Sequence, residues 1–344
     1  MKKSLLSLLG VAAVSAVFAQ SNTLSLSQNG NDNQAPVTQK GSANTLSMSQ
    51  TGNSNTNFNN NYPILQEGNN NTGTIAVTGN NNQVFFDQKG NSNKGMLSIT
   101  GNNNLGYTTS SGTGNEITLI QAGNNNVSTA VAHPGSNNQA TTTQTGDFNN
   151  GSVYSLGREN EATLTQTGNS NYGTAYSFSW GSGNEAIVTQ TGNTNTGYAF
   201  SYQGNNTQTS VTQTGDRNLG NASLNFGDNN QASITQVGDD NAAFVFQHLG
   251  DENQSSLTQR GNTNVGKQRQ EGSFNTATVL QEGDGNTLTG LGSSTSYNAF
   301  SVHNGTQRGD GNTFTLTQTG DGNTLHFGQT GDNNTATITQ GPLQ

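Results

Sequence analysis

The sequence predicts an all-β protein, a β-solenoid of about 14 stacked strand-turn-strand coils, each about 22 residues long and made of two 11-residue arms. Three observations support this prediction. A Gln-x-Gly-x-x-Asn motif recurs between Asn22 and Gln340, usually every 11 residues. The residues between motifs alternate between two faces, as a β-strand requires. Gly and Asn, which are typical of tight turns, recur in phase between the arms.

Each arm ends in the Gln of the motif, which lies on the same face as the apolar residues. In the arm 44–50, for example, Asn44, Leu46 and Gln50 share one face. A buried amide without partners costs about 1–3 kcal/mol, so we expect equivalent amides of successive coils to bond in ladders. The predicted ladder glutamines are Gln28, Gln39, Gln50, Gln66, Gln88, Gln121, Gln144, Gln166, Gln190, Gln213, Gln236, Gln259, Gln281, Gln307, Gln318, Gln329 and Gln340, with Gln270 in the same register.

The Asn of the motif opens the inward face of the next arm and is predicted to form ladders of its own. Where the Gln is missing, other residues occupy its slot; they are Val77, Ile99, Ser110, His133, Ser155, Ser179 and His248. The predicted ladder asparagines are Asn44, Asn160, Asn184, Asn230, Asn253, Asn275, Asn312, Asn323 and Asn334.

A short Gly-x-x-Asn turn joins successive arms, as in 215–218. We expect its Gly and its Asn to supply the positive φ values that a tight corner needs. The predicted turn glycines are Gly146, Gly168, Gly192, Gly215, Gly238, Gly261, Gly283, Gly309, Gly320 and Gly331.

The two arms of a coil differ between Gln121 and Gln281. One type is short and rich in Thr, whereas the other often has Gly two places after the Asn and several aromatic residues. Some arms of the second type step by 12 or 13 residues, which predicts β-bulges or a looser corner on that side. The alternation of the two types slips at the arms that end at Ile99 and Ser110. The aromatic residues are Tyr154, Tyr176, Phe178, Trp180, Tyr198, Phe200, Phe226, Phe244 and Phe246.

The chain divides into a leader and one repeat domain. Lys2 and Lys3 precede an apolar run over 5–18, so residues 1–19 are predicted to be a signal peptide and 20–344 the mature solenoid. Two longer gaps in the motif, near 57–64 and 289–306, predict loop insertions at the corners of the stack.

Composition narrows the class of protein. Only 28% of the residues are hydrophobic and Cys is absent from the sequence, so the fold must depend on hydrogen bonds between coils and not on disulfides. The net charge of −9 argues against nucleic acid as a partner. His133, His248, His303 and His326 are scattered, so the sequence predicts no enzymatic activity, no catalytic or metal site and no cofactor.

A solenoid without polar caps would leave unpaired strand edges that template the addition of another chain. The Gln-x-Gly-x-x-Asn repeats with their 22-residue coil spacing resemble the curlin repeats of curli functional-amyloid subunits. The resemblance implies a secreted structural subunit that polymerises with copies of itself into a cell-surface fibre supporting adhesion and biofilm matrix. It also implies a nucleator subunit and an outer-membrane secretion channel as partners.

Three alternatives stay open at this point. The Asp-Gly-Asn turns at 284–286, 310–312 and 321–323 resemble calcium-binding β-roll repeats, although β-roll repeats have a period of about nine residues and this chain has a period of 11. The outward Thr pairs suit an ice-binding face; they are Thr163 with Thr165, Thr315 with Thr317, and Thr337 with Thr339. A monomeric adhesin could instead use Trp180, Tyr198 and Phe200 to grip carbohydrate or protein.

Overall fold

The computed structural model describes residues 21–58, 62–289 and 305–341; for Ser179 and Trp180 it describes the backbone alone. The predicted leader therefore lies outside the described residues. Thirty strands in the described residues form two parallel sheets, here called A and B. None of the residues in these ranges forms a helix long and apolar enough to span a membrane.

Sheet A contains fourteen strands that stack in chain order: β1 (Thr23–Asn29), β3 (Thr45–Thr51), β6 (Thr72–Thr78), β8 (Lys94–Thr100), β10 (Glu116–Ala122), β12 (Gln139–Thr145), β14 (Glu161–Thr167), β16 (Glu185–Thr191), β18 (Gln208–Thr214), β20 (Gln231–Val237), β22 (Gln254–Arg260), β24 (Thr276–Glu282), β27 (Thr313–Thr319) and β30 (Thr335–Gln340).

Sheet B contains sixteen strands: β2 (Val37–Lys40), β4 (Thr56–Asn57), β5 (Ile64–Asn69), β7 (Gln83–Asn91), β9 (Leu105–Thr113), β11 (Val127–Ser136), β13 (Asn150–Arg158), β15 (Tyr172–Ser182), β17 (Thr196–Tyr202), β19 (Leu219–Asn225), β21 (Ala242–His248), β23 (Val265–Glu271), β25 (Thr287–Thr289), β26 (Gly305–Arg308), β28 (Thr324–His326) and β29 (Gly328–Thr330). Three arms are each split into two strands, namely β4 with β5, β25 with β26, and β28 with β29. The sheet therefore has thirteen levels.

The chain passes alternately through the two sheets, so one strand from each makes a coil. Strands pair in parallel with the equivalent strands of the coils before and after, and like residues align; Ala140 pairs with Ala162, and Gln144 with Gln166. The predicted β-solenoid is confirmed, with about 13 coils in place of the expected 14.

The corners explain the glycine of the motif. Gly146 has φ of +110°, and a Cβ there would lie 2.1 Å from the carbonyl oxygen of Gly168 in the next coil. Close stacking of the corners therefore excludes a side chain. All ten predicted turn glycines have φ between +79° and +116°.

The expectation that the motif Asn also has positive φ is wrong. The left-handed residue is the one before it, such as Phe148 (φ +59°) or Arg217 (φ +57°). Asn149 and Asn218 instead turn their side chains into the buried interior, where the Nδ2 groups donate to the carbonyl oxygens of Gly168 and Gly238 in the next coil.

The interior is filled by complementary sizes on the two sheets. The Gln that ends a sheet A arm faces the start of a sheet B arm, where Gly is frequent. A Cβ on Gly151 would lie 2.4 Å from Leu164 and 2.9 Å from the amide nitrogen of Gln144. Small residues in one sheet therefore make room for the amides and large apolar groups of the other.

This complementarity accounts for the slip in the alternation of arm types. In the coils containing Gly73 and Gly95 the glycines lie in sheet A, and the large residues facing them are Phe86 and Gln88 of sheet B. From Gly106 onward the glycines lie in sheet B. The two sheets exchange roles at the arms that end at Ile99 and Ser110.

Both predicted insertions interrupt an arm and do not lie at a corner. β4 and β5 both pair with β7, and β25 and β26 both pair with β23, so each pair of strands is one arm divided in two. Residues 59–61 and 290–304 lie outside the described residues, and the insertion boundaries stay predictions.

Irregularity on the sheet B side is confirmed. The pairing of β11 shifts register after Ala132, and the pairing of β13 with β15 shifts after Leu156. Gln203, Phe226 and Leu249 are additional left-handed residues beside the B-to-A corner glycines.

Three residues assigned to the Gln slot are displaced by these irregularities. The inward position belongs to Ala132 where His133 was expected, and His133 is exposed. It belongs to Gln247 in place of His248, and to Ser177 in place of Ser179. The motif places the Gln two residues before the corner Gly. In these three arms an additional or bulged residue lies between the inward position and that Gly, so the inward residue comes earlier in the chain.

Candidate functional site

The glutamines of sheet A form a continuous internal ladder from Gln121 to Gln340. Each Nε2 donates to the Oε1 of the next coil's Gln; the distance is 2.9 Å from Gln190 to Gln213 and 2.9 Å from Gln213 to Gln236. The same Nε2 donates to a backbone carbonyl of the facing arm, for example from Gln213 to Thr196 at 2.9 Å. The buried amides that follow Gln121 are thereby satisfied within the stack. The members are Gln121, Gln144, Gln166, Gln190, Gln213, Gln236, Gln259, Gln281, Gln318 and Gln340.

Sheet B contains two shorter ladders. The first runs from Gln39 through Gln66 to Gln88, with bonds of 2.7 and 2.8 Å. The second is Gln247, Gln270, Gln307 and Gln329. Gln28 and Gln50 make a further pair in sheet A, at 2.7 Å. Gln247 was missed in the sequence, although it lies six residues after Asn241, the spacing that Gln213 has from Thr207 and Gln144 from Asn138.

All these ladders have one polarity, because the donor nitrogen always points toward the C-terminal end of the stack. The first Gln of a run shows the consequence. Gln121 follows the coil that contains Ile99, and Gln247 follows the coil that contains Leu224. In both, the Oε1 is buried and has no hydrogen-bond partner among the described residues.

The motif asparagines form two further columns, one at each corner. The backbone N–H of Asn160 donates to the Oδ1 of Asn138 at 3.2 Å, and that of Asn184 donates to Asn160 at 2.9 Å. Many Nδ2 groups also donate to the corner Gly carbonyl of the following coil, at 2.7 Å from Asn184 to Gly204. Of the predicted asparagines, Asn323 lies in the column at the corner that leads from sheet A to sheet B. The others lie in the column at the corner that leads from sheet B to sheet A; they are Asn44, Asn160, Asn184, Asn230, Asn253, Asn275, Asn312 and Asn334.

An outer column, which the sequence reading missed, uses the residue directly after the corner Gly. Asp284 accepts from the backbone N–H of Asn262 at 2.7 Å, and Asp321 accepts from that of Asp284 at 2.8 Å. Asp310 accepts likewise from Ser273 at 2.7 Å. These carboxylates of the Asp-Gly-Asn turns are therefore bonded along the stack. No group of three His, Asp or Glu residues that could hold a metal ion occurs within 21–58, 62–289 and 305–341.

The outward face of sheet A carries hydroxyl columns. Thr163 aligns with Thr141, and Thr165 with Thr143. The Thr165 column continues uninterrupted through four more coils, whereas the Thr163 column passes to Ile187. Thr315 and Thr317 align with Thr337 and Thr339.

The outward face of sheet B carries an aromatic patch. The ring centroids of Tyr154 and Tyr176 are 5.5 Å apart, and those of Tyr176 and Tyr202 are 5.1 Å apart. Phe178 and Phe200 pack against the same cluster. Burial raises the pKa of Tyr176, with a smaller effect from the neighbouring Tyr154, so the phenol stays neutral.

Farther along the same face, aromatic rings are buried beneath cationic groups. Phe244 and Phe246 are buried, with Lys267 over the first ring at 5.9 Å and Arg269 over the second at 5.8 Å. Burial lowers the pKa of Lys267 and of Arg269. Cation–π contacts of this kind stabilise partly desolvated charges.

Acidic residues meet at the start of two sheet A arms. Glu161 and Glu185 are aligned in the parallel pairing of β14 and β16. Burial raises the pKa of Glu185, and the like charge of Glu161 adds to the effect. On the corner surface, the Nε and Nη2 of Arg217 donate to the two carboxylate oxygens of Asp240, at 2.8 and 2.7 Å.

Four strand levels have a neighbour on one side only within the described residues. β1 and β2 lie at one end of the sheets; β30 and the split level of β28 and β29 lie at the other. Their apolar residues are only half-buried, as for Leu24, Leu26, Ala336 and Ile338, whereas equivalent residues inside the stack are buried. These edges expose the same backbone groups that pair between coils.

The fold and its amide columns define a parallel β-solenoid stabilised by repetition of one coil. The curlin associated repeat family matches six segments, which together span more than half of the chain: 19–52, 135–168, 157–192, 227–264, 269–289 and 306–341. The chain belongs to the curlin repeat family. No curated protein matches the chain.

Proposed function

We propose that this chain is the structural subunit of an extracellular curli-like amyloid fibre, in which copies stack end to end and support adhesion and a biofilm matrix. The observation that carries the proposal is the pair of open ends. Among the described residues, β1, β2, β30 and the β28–β29 level pair on one side only, whereas the other levels pair on both sides. A second copy supplies the missing strands, because every coil presents the same hydrogen-bonding pattern.

The family membership and the predicted leader support export, and the amide columns support durability. Parallel in-register strands with aligned amide side chains are the arrangement that gives amyloid its resistance to denaturant. A nucleator subunit and an outer-membrane secretion channel are the partners that the family suggests. The family and the fold favour a structural role over an enzymatic one.

Fibre diffraction on the purified mature chain tests the proposal. After quiescent incubation we expect fibres with a meridional repeat of about 4.7–4.8 Å, the spacing of stacked strands. A protein that stays as protease-sensitive single molecules with no such repeat contradicts the proposal. Persistent monomers that produce thermal hysteresis would instead favour an ice-binding role for the Thr columns, and monomers that bind a carbohydrate would favour an adhesin.

A set of substitutions tests the internal ladder as the basis of assembly. Replacing Gln213, Gln236 and Gln259 together by Ala removes consecutive ladder members and should slow fibre growth. The matched control replaces their outward neighbours by Ala; they are Thr212, Thr235 and Thr258. Equal growth rates for the two triple variants would argue against the ladder.

A further inference from the structure

The two ends of the stack are complementary in hydrogen bonding. At the C-terminal end, Gln329 and Gln340 donate to backbone carbonyls of the facing arms, and no described Gln lies beyond them to accept. At the other end, Gln28 and Gln39 donate to the next coil, and no described side chain donates to their Oε1 atoms. One end offers donors and the other offers acceptors, so copies can continue the ladders only head to tail.

The number of arms fixes how the next copy must be oriented. Sheet A has fourteen levels and sheet B has thirteen, so the described stack contains an odd number of arms, 27. It begins with a sheet A strand, β1, and ends with a sheet A strand, β30. In an unbroken solenoid the arm after β30 belongs on the sheet B side.

We propose that successive copies in the fibre are related by a half turn about its axis, so that sheet A of one copy continues as sheet B of the next. This inference rests on the proposed function. β1 of the incoming copy pairs with the β28–β29 level, and β2 pairs with β30. Both sheets of the fibre then run on without a missing strand.

The sequences at the two ends match in this arrangement. In each of the four terminal arms the Gln lies six residues after the Asn, so Asn33 and Gln39 align with Asn334 and Gln340. The inward side chains then stack like on like, as they do between coils inside the chain. The aligned inward pairs are Ala35 with Ala336, Val37 with Ile338, and Leu24 with Leu325.

Stacking without the half turn leaves a gap. Were β1 to pair directly with β30, the next sheet B level, β2, would lie two spacings, roughly 9.6 Å, from β28 and β29. The backbone groups of both arms would then stay unpaired at every junction. A half turn removes that gap with no other change.

Pro36 does not block the junction. The carbonyl oxygen of Pro36 accepts from the N–H of Ile64 in the following coil at 2.9 Å, so the backbone edge of Pro36 faces its own stack and not the open end. The N–H and C=O of one strand residue point to the same side, and neighbours alternate. The groups on the open edge of this arm therefore belong to Ala35 and Val37, which keep their N–H.

Cysteine pairs distinguish the two orientations, because the chain has no Cys of its own. The half turn places Thr38 of one copy beside Thr339 of another on the outer surface, whereas unrotated stacking places Ser27 beside Thr339. Adjacent parallel strands hold paired Cα atoms at about 4.8 Å, within disulfide reach. Two double variants of the mature chain are compared, T38C/T339C and S27C/T339C. Thr317 and Thr339 pair within one chain, so T317C/T339C is the positive control for oxidation.

The variants are assembled under reducing conditions, oxidised as fibres, dissolved in denaturant and separated by size without reductant. We expect a ladder of covalent multimers from T38C/T339C and monomers from S27C/T339C. The reverse result overturns the half turn while leaving the fibre intact. Fibres in which neither pair cross-links also overturn it, because the copies then meet elsewhere. Failure of the unmodified chain to form fibres defeats the proposed function itself.

Gold labels give an independent measurement. A single T165C variant carries its label on the outward face of sheet A. The half turn places successive labels on opposite sides of the fibre, separated along the axis by one copy of roughly 65 Å. Labels confined to one side of single fibres would contradict the half turn.

Discussion

Gln213 offers the sharpest test of the amide ladder, through replacement by Met. The change keeps the volume of the side chain beside Gly197 and Gly220 but removes three hydrogen bonds, each 2.9 Å long. These bonds join Gln213 to Gln190, to Gln236 and to a backbone carbonyl. The Oε1 of Gln236 then loses its only described donor in a buried position.

The free energy of unfolding should fall by about 4–6 kcal/mol, counting roughly 1 kcal/mol for each of the three lost bonds and 1–3 kcal/mol for the orphaned acceptor. Guanidinium unfolding of freshly prepared monomer, followed by circular dichroism, measures the change. Thr212→Ala is the control, because Thr212 is the exposed neighbour in the same strand and should shift stability by less than about 0.5 kcal/mol. A Met variant as stable as this control would refute the reasoning.

Three other predictions follow from the corners, the core and the charges. Gly283→Ala places a Cβ 2.3 Å from the Gly320 carbonyl oxygen and should lower the free energy of unfolding by roughly 3–5 kcal/mol. In the control Gly285→Ala the nearest atom to the new Cβ is 4.0 Å away, so the loss should be about 1 kcal/mol. Equal unfolding midpoints for the two variants would contradict this prediction. Gly197→Ala brings a Cβ to 2.9 Å from Val188 and should lower the free energy of unfolding by about 1–3 kcal/mol. Adding Val188→Ala removes the crowded side chain and should restore part of this loss, whereas strictly additive losses would count against the tight contact. Because the pKa of Glu185 is raised, the folded state binds its proton more tightly, so this group's contribution to stability should fall as pH rises through that pKa. Glu161→Gln removes the neighbouring like charge and should weaken this pH dependence. A variant whose unfolding midpoint has the same pH profile as that of the unmodified chain would contradict the prediction.

The fold was accessible from the sequence because its signals repeat. A Gln or Asn that recurs in phase with apolar residues has few places to go except a common interior, and Gln144, Gln166 and Gln190 lie in one ladder. The φ assignment of the turn failed for a local reason. Asn often adopts the left-handed backbone conformation, but here its side chain is bonded to the neighbouring coil, and the residue before it has the positive φ instead.

Register near bulges was the other limit. Counting back from Gly selects His248, whereas counting six residues forward from Asn241 selects Gln247, the residue in the ladder. The forward count works because additional residues such as Leu249 are accommodated at the end of the arm, after the inward positions are set. The complementarity between Gly151 and Gln144 could not be read from either arm alone, because it depends on which arms face each other.

The size complementarity of the two sheets bears on how such a chain can change length through heredity. Duplication of a whole coil adds one arm to each sheet, so every downstream Gly still faces the partner that it accommodates. Duplication of a single arm moves every later glutamine and glycine to the opposite sheet, so each amide ladder is interrupted at the insertion, where a Gln-ending arm must stack on a Gly-containing arm. Recombination should therefore tolerate repeats gained or lost in steps of about 22 residues far better than in steps of about 11.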